Sequence, residues 1–126
     1  MEAKNSLEQL FKALDKKDMK KLNSFLPESG PLAAVMCDGT ILDSTEDYLD
    51  FHNEWFEDDQ WSMGHDVVMV EETSEMAYAV AEGEYFDKDE DGEPYTLSLI
   101  STAVMRKVEG KWVLTMFQQT ETQLDD

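Results

Sequence analysis

His52 and His65 are the only histidines of the chain, and imidazole is the side chain whose ordinary pKa puts proton transfer near neutral pH. His52 lies one helical turn from Tyr48 and next to Trp55 and Phe56, so on a helix it points with those rings toward an interior. His65 precedes Asp66. Neighbours in a strand face opposite sides, yet a histidine with a carboxylate close by has the chemistry of a general base. A carboxylate enclosed in a cavity has a raised pKa, which adds Asp66 and Glu84 to His52 as candidate acid–base residues. Asp87, Asp89 and Asp91, followed by Gly92, match the first half of an EF-hand loop. That loop's twelfth position needs a bidentate glutamate and here holds Ser98, and the flanks read as strands rather than helices. The stretch therefore predicts an acidic hairpin loop, with a weak surface calcium site on Asp87, Asp89 and Asp91 as the sharper alternative. Cys37 and two distant histidines have no zinc-ligand spacing, so no metal centre is expected.

Periodicity predicts the elements that must position these groups. Leu7, Leu10, Phe11 and Leu14 recur at helical spacing over residues 6–15, with Ser6 as a cap. A second short helix spans 18–25 with Asp18 as its cap, and the turn at 27–31 ends it. Residues 32–37 and 40–42 form a hairpin about Asp38-Gly39. Ser44 or Thr45 caps an aromatic helix over 46–57. Four longer strands follow at 61–72, 76–87, 95–108 and 111–122, the last two joined by the turn at 108–111. On the last strand, alternation places Trp112, Leu114, Met116, Gln118 and Thr120 on one face. The order α-α-β-β-α-β-β-β-β predicts an α+β domain in which helices gather beside a mostly antiparallel sheet.

A chain of 126 residues with 41% apolar content is large enough for one core, so residues 1–126 are read as one domain. Net charge is −19, unevenly spread: residues 1–21 carry six lysines and four acids, and the rest carries four basic and 25 acidic groups. Nucleic acid and anionic membranes need a cationic face, so both are expected non-partners. The acidic surface serves solubility or, alternatively, docks a basic protein. No apolar run reaches membrane-spanning length, MEAKNSLEQL has no signal-peptide core, and Cys37 has no internal disulfide partner; together these predict a cytoplasmic location.

The run Leu10-Phe11-Lys12-Ala13-Leu14-Asp15 with Asp18-Met19, then Gly39-Thr40, and above all Ser101-Thr102-Ala103-Val104-Met105-Arg106-Lys107-Val108-Glu109-Gly110-Lys111-Trp112-Val113-Leu114, resembles the nuclear-transport-factor-2-like superfamily with its SnoaL-like and ketosteroid-isomerase-like branches. The resemblance implies a strongly curved, mostly antiparallel sheet with three helices forming a cone-shaped barrel of the cystatin-like kind. It also implies an inner pocket and a homodimer packed through the sheet. The steroid-isomerase pattern would place its acids and phenol near Leu10, Ala33 or Ala34, and Thr102, none of which can do that chemistry. A His-x-His pair found in many SnoaL-like relatives falls on Met116 and Gln118.

The resulting expectation is a small apolar ligand held in the cone without ketosteroid-isomerase chemistry and without a cofactor. Tyr48, His52, Trp55, Ser98, Thr102 and Gln118 are the expected contacts. The alternative is a cyclase, dehydratase or isomerase using His52, Asp66 or Glu84. Trp61, Tyr78 and Tyr85 are further candidate wall residues, and Trp112 is expected to be pure packing.

Overall fold

Four long strands in the second half of the chain build the sheet that everything else packs against. The computed structural model describes residues 2–28 and 30–122 and contains α1 (Glu2–Asp15), α2 (Met19–Asn23), β1 (Ala33–Val35), β2 (Ile41–Leu42), α3 (Thr45–Glu57), β3 (Ser62–Glu72), β4 (Met76–Lys88), β5 (Pro94–Val108) and β6 (Lys111–Thr122). The element order is the predicted one. Helix α1 starts at Glu2, so Ser6 lies within it rather than capping it; buried Ala3 extends the apolar stripe by a turn. Helix α2 is shorter than predicted, and the Asp18 carboxylate accepts the Lys21 N–H at 3.1 Å. Ser29, in the predicted turn after it, is outside the described residues.

Strands β3 to β6 form an antiparallel meander in one curved six-stranded sheet of order β2-β1-β6-β5-β4-β3. Strand β6 also pairs in parallel with β1, placing Ala34 beside Phe117. The β5–β6 turn takes left-handed φ at both Glu109 (50°) and Gly110 (81°), the geometry a two-residue hairpin needs to match strand twist. Every second residue of β4 from Ala77 through Ala79 and Ala81 to Gly83 is small and faces inward. Those side chains leave room for α1, which lies over β3 and β4 and buries Leu7, Leu10, Phe11 and Leu14. Removing these apolar surfaces from water, at about 25 cal/mol per Å², drives the layer together.

Two bulges break the alternation. In β3 the extra residue is Val68, between the pairs Val67–Ala81 and Met69–Val80. In β6 it is Thr115, between Met105–Leu114 and Val104–Met116. The second corrects the predicted common face of β6. Trp112 and Leu114 point inward, but after Thr115 the phase reverses. Phe117 (1% exposed) and Gln119 (5%) take the inside, and Met116 (37%), Gln118 and Thr120 pass to the outer face. A bulge sets two residues of one strand against one of its partner, so every later side chain changes sides.

Helix α3 is positioned at both ends. The Ser44 hydroxyl accepts the Asp47 N–H at 3.1 Å, and Glu46 and Asp47 suit the positive end of the helix dipole. At the other end Lys17, with φ 56°, closes α1 as Asp18 N–H bonds Ala13 O and Lys17 N–H bonds Leu14 O. Its ammonium then donates to the carbonyls of Asp58 and Trp61, both at 2.8 Å. No helix among the described residues is long and apolar enough to cross a membrane.

Candidate functional site

The C-terminal half of α3, the ends of β4, β5 and β6, and the β1–β2 connection converge on a cavity of about 360 Å³ at the mouth of the cone. Phe51 and Trp55 come from α3, Tyr85 from β4, Tyr95, Leu97 and Leu99 from β5, Gln119 from β6, and Met36, Cys37 and Asp38 from the connection. A volume at the lower end of the usual range for ligand pockets suits a small molecule. The rings are mutually braced: Trp55 stacks on Trp61 at 4.3 Å and on Tyr85 at 6.3 Å, and Phe51 lies 5.9 Å from Trp55. The Trp61 indole N–H donates to Trp55 O at 2.9 Å, and the Tyr85 hydroxyl donates to Asp87 at 2.5 Å. Gln119 is the buried polar group of the wall. Its amide N–H points to the Met63 sulfur, a weak acceptor, at 3.8 Å.

The rim is negatively charged. Asp38 accepts the Thr40 N–H at 2.9 Å, and its hydrogen bonds with Thr40 hold its pKa below the usual value. Burial pushes the Cys37 thiol up, and the neighbouring charges of Asp38 and Glu121 push it further. Glu121 pairs in register with Leu99 and so stands on the cavity's side of the sheet. Among the described residues no lysine or arginine lines the cavity.

The six predicted ligand contacts do not form one site. Trp55 lines the cavity. Tyr48 and His52 lie in the core on the same helix, their rings stacked at 4.0 Å. His52 Nδ1–H donates to Tyr48 O at 2.8 Å, so Nε2 carries the lone pair. Both His52 Nε2 and the Tyr48 hydroxyl are buried without a partner among the described residues. Burial lowers the His52 pKa to about 4 and raises that of Tyr48. Ser98, Thr102 and Gln118, by contrast, lie on the outer face. Thr102 and Gln118 oppose each other in register, Gln118 Nε2 donates to Thr120 Oγ1, and Ser98 pairs with Thr122. The sheet separates the two sets because Leu99, Ser101 and Ala103 take the inside of β5, opposite Gly83, Ala81 and Ala79. The small-residue alternation of β4 was the sequence signal for which face the helices cover.

The predicted acids fall on the outer face too. Asp66 and Glu84 border a wider hollow of about 890 Å³ with Glu82, Phe86, Ser98 and Ile100. It is more open to solvent than the mouth cavity, which is the better enclosed of the two. In the acidic loop the carboxylates serve the turn: Asp87 accepts the Lys88 N–H, and Asp89 accepts those of Asp91 and Glu93. Among the described residues no group of three or more His, Cys, Asp or Glu side chains is placed to hold a metal ion. Tyr78 is an outer-face residue, and Trp112 is buried packing.

His65 does find a carboxylate, but it is Asp15 at the end of α1 rather than Asp66. His65 Nδ1–H donates to Asp15 Oδ1 at 2.6 Å, and the His65 backbone N–H donates to Oδ2 at 2.8 Å. The imidazole is fully buried beside Phe11, 5.0 Å away, with Nε2 unpartnered among the described residues. It leans over Gly83, where a Cβ would stand 2.8 Å from His65 Cδ2. A carboxylate on Nδ1 fixes the orientation of the ring, one requirement of a general base. The two residues lie 50 positions apart, which is why strand alternation alone missed the pair.

No family model matches the chain, and no curated protein matches it. Solved structures do. A candidate dehydratase of the nuclear-transport-factor-2-like family from Streptomyces avermitilis superimposes with a TM-score of 0.79 at 13% identity, covering 97% of this chain and 95% of that one. A ketosteroid isomerase-like protein from Erwinia carotovora atroseptica gives 0.79 at 11% identity, over 96% and 94%. The S. rosetta CaMKII hub gives 0.70 at 18%, over 95% and 94%. Identities this low speak to fold alone, and on that footing the chain has the nuclear-transport-factor-2-like fold.

Proposed function

We propose that this protein binds a small ligand in the mouth cavity, between Phe51 and Trp55 of α3 and Leu97, Leu99 and Gln119 of the sheet. The observation that carries the reading is an aromatic wall with one buried amide whose N–H meets only a sulfur acceptor, the combination that gives affinity from apolar contact and orientation from a polar group. The positions the ketosteroid-isomerase pattern would use hold Leu10 and Ala34 in the core and Thr102 on the outer face, none of them an acid or a phenol. Titration with a panel of small neutral alcohols and amides, followed by amide NMR shifts, should perturb Phe51, Trp55, Leu99 and Gln119. Replacing half-buried Leu97 by Trp should fill the cavity and abolish those shifts. Shifts that survive L97W, or none at all, would sink the reading.

A second reading, an enzyme that abstracts a proton next to a carbonyl, is favoured by the Asp15–His65 pair. Its base would be His65, not Asp66 or Glu84. The measurement is α-proton exchange of butanone and cyclohexanone in D₂O, where the protein should exceed buffer and Asp15→Asn should lower the rate by about 10²-fold. Exchange no faster than buffer rules this reading out.

We further infer that two copies associate through the outer sheet face. Val35, Tyr78, Ile100 and Met116 leave large apolar side chains exposed there, between 37% and 40% of their surface. The S. rosetta CaMKII hub shares the fold.

A further inference from the structure

The mouth cavity combines four aromatic rings with a negative rim, and that combination selects by charge as well as by shape. Phe51 and Trp55 on α3, Tyr85 on β4 and Tyr95 on β5 present rings from three elements around one space. Aromatic faces carry negative quadrupole potential and attract a cation within about 6 Å of a ring centroid. Tyr85 donates its hydroxyl proton to Asp87, which makes its ring more electron-rich. Alternation turns Asp87 to the same side as Tyr85 and sends Lys88 with Phe86 to the other. Asp38 lines the cavity, and Glu121 stands on the same side of the sheet opposite Leu99. The field of these acids reaches the rim side chains: burial foremost raises the Tyr95 pKa, and Asp87, Asp89, Cys37 and Glu121 add to the shift. Among the described residues of this wall an anionic ligand meets no basic side chain.

The same ring stack already holds one ammonium. Lys17 Nζ sits 4.0 Å from the centroid of Trp61, whose ring stacks on Trp55. The cavity side of that stack faces a space with no cation of its own among the lining residues.

We propose that the cavity takes a small organic cation, an alkylated ammonium group, seated on Phe51, Trp55, Tyr85 and Tyr95 and neutralised by Asp38 and Glu121. The proposal rests on the reading that this cavity binds a small ligand, and it names the chemical class. Alkylation matters because a bare ammonium or metal ion is strongly hydrated and finds too few acceptor oxygens in an aromatic cage to replace that shell. A methylated head loses little hydration and fills the volume. The Gln119 carbonyl oxygen is then available to a hydroxyl or N–H elsewhere on the ligand.

The test is a pair of isosteres titrated by calorimetry into the full chain: choline, and 3,3-dimethylbutan-1-ol, which has the same shape without the charge. Choline should bind about tenfold more tightly than the alcohol, and Tyr95→Leu, at an exposed position, should weaken it about fivefold. Glu121→Gln should weaken choline and leave the alcohol unchanged. Equal affinity for the two, or choline binding indifferent to Y95L and E121Q, overturns the cation while leaving a neutral-ligand cavity standing. Binding of the alcohol alone has the same meaning, and binding of neither overturns the cavity reading as well.

Discussion

Between pH 7.5 and pH 5 the protein should lose about 2 kcal/mol of stability through His52 alone, and about 3 kcal/mol once the pH falls below 4. The folded chain holds His52 at a pKa of about 4 against 6.5 when unfolded, because burial penalises the imidazolium. Its Nδ1–H bond to Tyr48 O opposes that shift only in part. Between those two values the unfolded state binds the proton and the folded state does not, so acid favours unfolding. The stability is therefore complete above pH 6.5, lost progressively as pH falls toward 4, and level below. Urea unfolding of the protein and of His52→Phe at pH 7.5 and 5.0 separates this from the 29 carboxylates, which titrate alike in both. The variant should be less stable at pH 7.5, having lost a hydrogen bond, yet have the flatter pH profile. Identical pH slopes would mean that His52 is charged or hydrated in the folded state.

Ile100→Asp should raise the dissociation constant of the proposed dimer about 100-fold, because the outer face would then bury two more like charges against each other. Ile100 pairs in register with Glu82 on one side and Thr120 on the other, at the junction of the apolar half of the face and the acidic half formed by Asp66, Glu82 and Glu84. Salt gives an independent sign. Two chains of net charge −19 repel, so association should tighten as sodium chloride rises and the Debye length shrinks from about 30 Å at 0.01 M to about 8 Å at 0.15 M. Sedimentation velocity of both proteins at two salt concentrations reads both effects. A monomer at all concentrations, or a dimer indifferent to I100D, would remove the outer face as the interface.

The residues that were legible early and those that were not differ in one respect. Helix α1, the aromatic helix α3 and the β5–β6 hairpin follow from spacing and turn chemistry within about a dozen residues, and the structure keeps all three. The Asp38-Gly39 and Glu109-Gly110 turns are equally local, since glycine meets the positive φ each requires. The acid excess is a property of composition and follows from the sequence alone.

Which face of each strand looks inward was a different kind of question. One extra residue, Thr115, moves Gln118 outside and Gln119 inside, and nothing in the local run Trp112 to Thr120 marks where the bulge falls. Its position depends on how β6 fits β5 on one edge and β1 on the other, a condition spread over three strands. The same holds for Asp15 with His65, for Lys17 on Trp61, and for the meeting of Asp38, Tyr95 and Gln119 at one cavity. Short-range periodicity encodes which elements form, because it acts through the backbone of each segment. The packing of α1 on the small residues of β4, and the phase shifts that let a curved sheet close around it, place the chemistry. Those depend on contacts between distant segments that only the folded chain brings together.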